Sequence, residues 1–260
     1  MRSIIKTHVE KILINSIFDL LSNEWILGFL LNLTLILIFY RFPLLTNKGW
    51  LHSGALGTIL FGCLGWQGWF SVVLYLVLGT VVTRLGFKNK KKAGIEESRG
   101  GRRGPENVWG SAATGAFIAI LIKINLFPSY LLMLGFAASF SAKLADTFGS
   151  EIGKRWGRNT LLISSLKSVP PGTDGAISLE GTLASFLGSI LMSSIMYLLG
   201  FIQGMNFYLI VILFGFMATI LESYIGASLQ KKYSILTNEM VNFIQTLLAA
   251  FFVIIFASFY

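Results

Sequence analysis

The sequence predicts an all-α integral membrane protein of about eight transmembrane helices, with polar, glycine-rich loops gathered on one side. Three observations point there. Hydrophobic residues make up 54% of the 260-residue chain and charged residues only 13%, with a mean hydropathy of +0.71. That leaves too little polar surface for a dissolved monomer. Several apolar runs reach the roughly 20 residues that a helix needs to cross a bilayer. These runs are apolar all round, whereas a membrane β-barrel would alternate polarity over short segments.

Taken in order, residues 1–22 form an amphipathic stretch carrying Glu10 and Asp19. It reads as an interfacial helix rather than a cleavable signal or transit peptide. Residues 23–260 read as one polytopic membrane domain. Its expected spans are 24–41, 51–65, 68–86, 107–125, 127–145, 178–200, 206–226 and 238–259. The second, "HSGALGTILFGCLG", is short, and its glycines allow either close helix contact or an incomplete crossing. One cysteine, Cys63, and two distant histidines, His8 and His52, leave no disulfide framework and argue against a His/Cys zinc site.

Charge sets the expected orientation. Placing the loop "KNKKKAGIEESRGGRRG" in the cytoplasm puts 17 of the 21 Lys and Arg on that side, all but Arg2, Lys6, Lys11 and Lys123. The formal charge of +9 therefore reflects loop topology rather than a nucleic-acid partner. With the polar loops on one face, an enzyme acting on a lipid with a soluble co-substrate is favoured over a transporter with mid-membrane charges.

Four stretches carry the chemistry. In "AKLADTFGSEIGKRWG", a helix turning about 100° per residue puts Ser150 about 40°, Lys143 about 60°, Thr147 about 100° and Glu151 about 140° from Asp146. This polar arc should face the bundle interior. Its carboxylates suit a hard cation such as Mg²⁺ completed by substrate phosphates; the competing reading is a simple Lys143–Asp146 pair at a helix end. In "KSVPPGTDGAISLEGT", Gly172 and Gly175 allow positive φ around Thr173 and Asp174. Such a backbone can aim N–H groups at an anion beside Lys167, or it is merely a turn leading into a helix capped by Ser178. In "ESRGGRRGPENVWGSAATG", Arg99, Arg102 and Arg103 present planar forks suited to phosphate, or anchor the chain to anionic headgroups. Asn107, Ser111 and Thr114 extend a polar wall along the next span. In "TILESYIGASLQKK", Glu222 shares a face with Thr219 and Gly226, and either joins the metal site or snorkels to the interface. Asn238 and Asn242 stand one turn apart. Similar segments in the two halves, such as "TRLGFKNKK" and "SYIGASLQKK", raise the question of an internal duplication.

Together, "RGGRRGPENVWGSAATG", "AKLADTFGSEIGKRWG", "VPPGTDGAISLEGTLAS" and "ESYIGASLQ…NEMVN" resemble the phytyl-phosphate kinase family, which is related to eukaryotic transmembrane protein 19. The resemblance covers roughly residues 50–250 with the motifs in the same order. Glu222 and "GRRGP" match the phytyl-phosphate kinase branch. The resemblance implies phosphoryl transfer from a nucleoside triphosphate, CTP, to phytyl or geranylgeranyl monophosphate, for tocopherol and phylloquinone synthesis. The alternatives are a phytol kinase, a CTP-dependent cytidylyltransferase, a lipid-phosphate or anion transporter, or a pathway scaffold. On the kinase reading, Asp146, Glu151 and Glu222 are the expected Mg²⁺ ligands, with Ser150 assisting. Lys143, Asp146, Glu151, Arg102 and Arg103 form the catalytic set. Lys167, Gly172, Thr173, Asp174, Gly175, Arg99, Asn107 and Ser150 hold the nucleotide. The prenyl tail would lie in a groove near Phe117, Phe148 and Phe186. A bacterial, cyanobacterial membrane is the expected location, with the active site facing the cytoplasm.

Overall fold

The computed structural model describes residues 23–230 and 232–260; the expected interfacial helix at 1–22 lies outside them. The described chain is helical almost throughout: α1 Glu24–Phe39, α2 Asn47–Arg84, α3 Phe87–Lys92, α4 Pro105–Lys123, α5 Ser129–Trp156, α6 Leu179–Leu198, α7 Met205–Ile225 and α8 Asn238–Ser258. A short antiparallel hairpin, β1 Leu161–Leu162 and β2 Ala176–Ile177, interrupts the sequence between α5 and α6.

Local sequence sets the helix starts. Asn23, Thr46, Ser178 and Thr237 each place a side-chain oxygen on an N–H of the first turn of α1, α2, α6 and α8, satisfying donors that would otherwise be orphaned. Pro105 opens α4, where Asn107 Oδ1 accepts from the Gly104 N–H at 2.9 Å.

Helix α2 is a reversal, not one rod. Gly65 takes φ 66°, ψ −161°, a region that essentially only glycine occupies. Beyond it the chain doubles back: a Cβ on Gly68 would lie 3.2 Å from the Leu60 carbonyl oxygen. In a straight helix those residues would be about 12 Å apart. The two spans expected at 51–65 and 68–86 are therefore the arms of one helical hairpin. Its open ends meet where Arg84 donates to the Pro43 carbonyl at 2.8 Å.

Among the described residues, five helices are long and apolar enough to cross a membrane: α2, α5, α6, α7 with its following turn, and α8. Helix α1 is a shorter apolar helix. At the centre stands α5, covered by α2, α4, α6, α7 and α8. Small residues let α6 approach it closely; a Cβ on Gly188 would lie 3.0 Å from the Cα of Ala145. The Ser141 hydroxyl is held at 2.9 Å from those of both Ser189 and Ser193. The apolar core fills the rest of this contact, with Phe136, Phe140, Leu144, Met192 and Met196 fully buried.

One expectation changes. The span expected to end near residue 145 does not stop there. Helix α5 continues unbroken to Trp156 and carries the whole motif on a rigid element.

Candidate active site

The helix pattern brings the open ends of the α2 hairpin, the start of α4, the end of α5, the start of α6, the end of α7 and the start of α8 to the same end of the molecule. There they enclose a cleft whose walls are mostly charged, hydroxylic or glycine.

Asp146 lies on the inner face of α5, half-buried, and its Oδ2 accepts from the buried Lys143 ammonium at 2.5 Å. Both groups face the cleft. Glu222, from α7, lines the same cleft within electrostatic reach of Asp146, Lys143 and Asp174. Arg103 enters from the loop before α4. Its backbone pairs with Leu44 and Thr46 at 3.1 and 3.0 Å, and its guanidinium donates to Tyr75 Oη at 2.6 Å. A side chain on Gly79 would fill the space the guanidinium occupies, so glycine there makes the seat. Tyr75 in turn lies beside Ser111 and Lys143. Arg103, Tyr75, Lys143, Asp146 and Glu222 thus form one polar chain drawn from three helices and a loop.

The proline–glycine loop closes the mouth. Gly172 and Gly175 have φ of +85° and +73°. Thr173 Oγ1 donates to the Pro170 carbonyl at 2.8 Å, and Asp174 is exposed in the cleft. Gly175 packs against the end of α7, with Gly226 close behind it. Ser150 and Arg102 are exposed along the rim. The buried Thr160 hydroxyl lines the wall and makes no hydrogen bond among the described residues.

Other expected residues have different positions. Glu151 borders the cleft, but it is 2% exposed and forms a buried ion pair with Lys90, itself 1% exposed. Lys90 also donates to the Thr83 carbonyl of α2 at 2.7 Å, so this one ammonium pins α3 against both α2 and α5. No group of three or more His, Cys, Asp or Glu side chains converges on a metal position among the described residues. The expected trio of Asp146, Glu151 and Glu222 is therefore not formed, because Lys90 already engages Glu151. Arg99 takes φ 57° and points outside the cleft, paired with Glu106 and donating to Asn107 Oδ1 at 2.8 Å. Asn107 lines the cleft but is used as a brace, its Nδ2 donating to Glu239 Oε1 at 3.2 Å. Lys167 is exposed on the β-hairpin and is not part of the cleft wall.

The sequence reading missed Lys90, Tyr75 and the Glu97–Lys154 pair. Lys154 Nζ lies 2.8 Å from Glu97 Oε1, which fastens the arginine loop to α5. Burial by itself raises the Glu97 carboxyl, but the Lys154 ammonium outweighs it and holds the pKa down to about 2.

The fold and the cleft define a class: a polytopic helical membrane protein with its polar chemistry concentrated at one end. The chain belongs to the integral membrane protein family DUF92, which matches residues 30–250. It is 47% identical over 235 residues to an uncharacterized membrane protein of Synechocystis, covering 88% of this chain and 90% of that one. It is 40% identical over 227 residues to the chloroplastic protein VTE6 of Arabidopsis thaliana, covering 84% and 68% respectively. An uncharacterized membrane protein of Methanocaldococcus jannaschii is 32% identical over 203 residues, covering 78% and 82%. No solved structure matches. The family resemblance carried by the motifs stands on these matches.

Proposed function

We propose that this chain is an isoprenyl-phosphate kinase acting in tocopherol and phylloquinone synthesis. It transfers the terminal phosphoryl group of a nucleoside triphosphate, CTP, to phytyl or geranylgeranyl monophosphate. The terminal P–O bond of the donor breaks, a new P–O bond forms to an oxygen of the lipid phosphate, and a nucleoside diphosphate leaves. The observation that carries this reading is the cleft itself. Cationic Arg103 and Lys143 and carboxylates Asp146 and Glu222 meet at the end of apolar helices, where a soluble triphosphate can reach a lipid held in the membrane.

The acceptor is already an anion, so no strong base is required. The barrier lies in bringing two polyanions together, and fixed cationic donors lower it by stabilising the transferring group. Arg103 is held in place by Tyr75 and its backbone bridge; Lys143 stands on the rigid α5; Arg102 is exposed at the rim, its Nε donating to the Arg99 carbonyl at 3.2 Å. The loop of Gly172, Thr173, Asp174 and Gly175, with Ser150, would receive the nucleotide phosphates.

The side chains present fit Mg²⁺, which commonly takes one or two carboxylates plus phosphate oxygens and water. Asp146 and Glu222 would hold it, with Ser150 nearby and Glu151 excluded by Lys90. Bound there, the ion would neutralise phosphate charge. The cleft end also carries most of the basic residues, which supports a cytoplasmic active site.

The test is incubation of purified protein with Mg²⁺, phytyl monophosphate and each of CTP, ATP, GTP and UTP, with products read by mass spectrometry. Phytyl diphosphate plus CDP is expected. A CMP-linked lipid with pyrophosphate would make the protein a cytidylyltransferase, and acceptance only of free phytol would make it a phytol kinase.

A further inference from the structure

The cleft has one apolar wall. Within the helices that line it, the large apolar side chains are Phe216 and Ile220 of α7, and across from them stand Thr182 and Ser185 of α6. Phe216 meets Phe186 of α6 edge to face, with ring centroids 5.5 Å apart. Phe186 is exposed on the outer, lipid-facing surface of the bundle. The same α6–α7 seam is fastened further along. Ser189 Oγ donates to the Ile212 carbonyl at 2.7 Å, and Ser194 Oγ lies 2.8 Å from Tyr208 Oη. The seam is hydrogen-bonded toward the 199–204 turn, whereas among the described residues no hydrogen bond joins α6 to α7 where it reaches the cleft.

We infer that this part of the α6–α7 seam is the lateral entry for the apolar tail of a lipid monophosphate, with Phe186 and Phe216 as its floor. A lipid phosphate beside Lys143 and Asp146 needs an exit for its tail that does not cross charged groups or water. The polar walls given by α4, α5, α8 and the loops offer none. Phe216 and Ile220 sit within two turns of Glu222 on the same helix, so a tail entering there delivers its phosphate to the carboxylate end of the cleft. Of the three side chains expected from the sequence to line a tail groove, Phe186 is the one at this opening. Phe117 is exposed on the outer surface of α4, and Phe148 packs against the core.

The identity of the headgroup rests on the proposed kinase reading; the portal itself does not. The experiment uses the whole protein in lipid nanodiscs and a phytyl monophosphate bearing a diazirine on its second isoprene unit. After photolysis, adducts are mapped by mass spectrometry with and without excess unlabelled phytyl monophosphate. Competed labelling on Phe186, Phe216, Ile220 or Thr182 is expected. Competed labelling confined to α1, α4 or α8, or labelling that competitor leaves unchanged, would overturn the portal. A second measurement uses Phe216→Trp, which narrows the seam: KM for phytyl monophosphate should rise about tenfold while KM for the nucleotide stays the same. An equal rise in both would also count against the portal. Competed seam labelling without turnover would retain the portal and discard the kinase; turnover with labelling elsewhere would do the reverse.

Discussion

Glu151 and Lys90 show how burial decides what a charge can do. Each is almost fully removed from solvent, and each has the other as its partner. Breaking such a pair strands a charge, whereas removing both groups does not. Lys90→Met and Glu151→Gln should therefore each lower unfolding stability in detergent by about 3–5 kcal/mol, and the double variant by much less than their sum. Additive losses would mean that the two groups act separately. Glu97 gives a second expectation. Its folded pKa of about 2 lies below the ordinary 4.5, so its pairing with Lys154 contributes stability fully above about pH 4.5. That contribution fades as pH falls toward 2. Glu97→Gln should flatten the dependence of the thermal midpoint on pH within that window and leave the profile near neutrality parallel to wild type. At this scale the sequence was only partly legible. Asp146 and Lys143 could be read because they are three residues apart on one helix. Lys90 is hidden in the run "KNKKK", and nothing local marks the one lysine that turns inward to a partner 61 residues away. Arg99 and Arg103 look equivalent in sequence, yet a left-handed turn at Arg99 sends one out of the cleft and leaves the other in it.

Among the elements, the α2 reversal and the length of α5 position the site. Gly65 adopts a conformation that a β-carbon makes costly, by about 1–3 kcal/mol. Gly65→Ala should lower thermal stability by that amount, and the loss should exceed that of Gly153→Ala in α5, where φ is not positive and a β-carbon meets only ordinary contacts at 3.5 and 3.6 Å. Equal effects would show that the reversal does not depend on glycine. The hydropathy pattern marked a break between residues 65 and 68 but not its geometry, because the turn is made by one residue with no polar signal of its own. In α5 the sequence misled in the opposite sense. Polar residues after Ala145 read as the end of a span, yet the helix runs on because neighbouring helices cover it and the cleft accepts its polar face. The glycine loop leading into β2 of the hairpin was legible as a turn with positive φ at Gly172 and Gly175; its packing against the end of α7 was not.

In the whole molecule, an order of elements occurs twice: helical hairpin, charged loop, then a helix. The first set is α2, the α3 segment and α4; the second is α6–α7, residues 226–237 and α8. Helices α4 and α8 touch at positions of equal spacing. Asn107 reaches Glu239 and Thr114 reaches Thr246, both 132 residues on. This matches the sequence likeness between the halves and gives α5 the place of a central, unpaired helix. Orientation is the other property of this scale. Cysteines placed at Ser165 or Lys232 in a Cys63→Ser background should react with an impermeant maleimide only from the cytoplasmic face. Reaction from the opposite face would invert the assignment made from the basic loops.

If the cleft around Asp146 moves one phosphoryl group onto a lipid phosphate, as proposed, the phosphorus transferred comes from the γ position of the donor. The most direct measurement follows γ-³²P-CTP and α-³²P-CTP separately into the lipid fraction, for wild type and Asp146→Asn, with folding checked by thermal unfolding. γ label alone should enter a lipid diphosphate, reduced at least about a hundredfold in the variant. Label from the α position in the lipid, or γ transfer that survives Asp146→Asn unchanged, would contradict it.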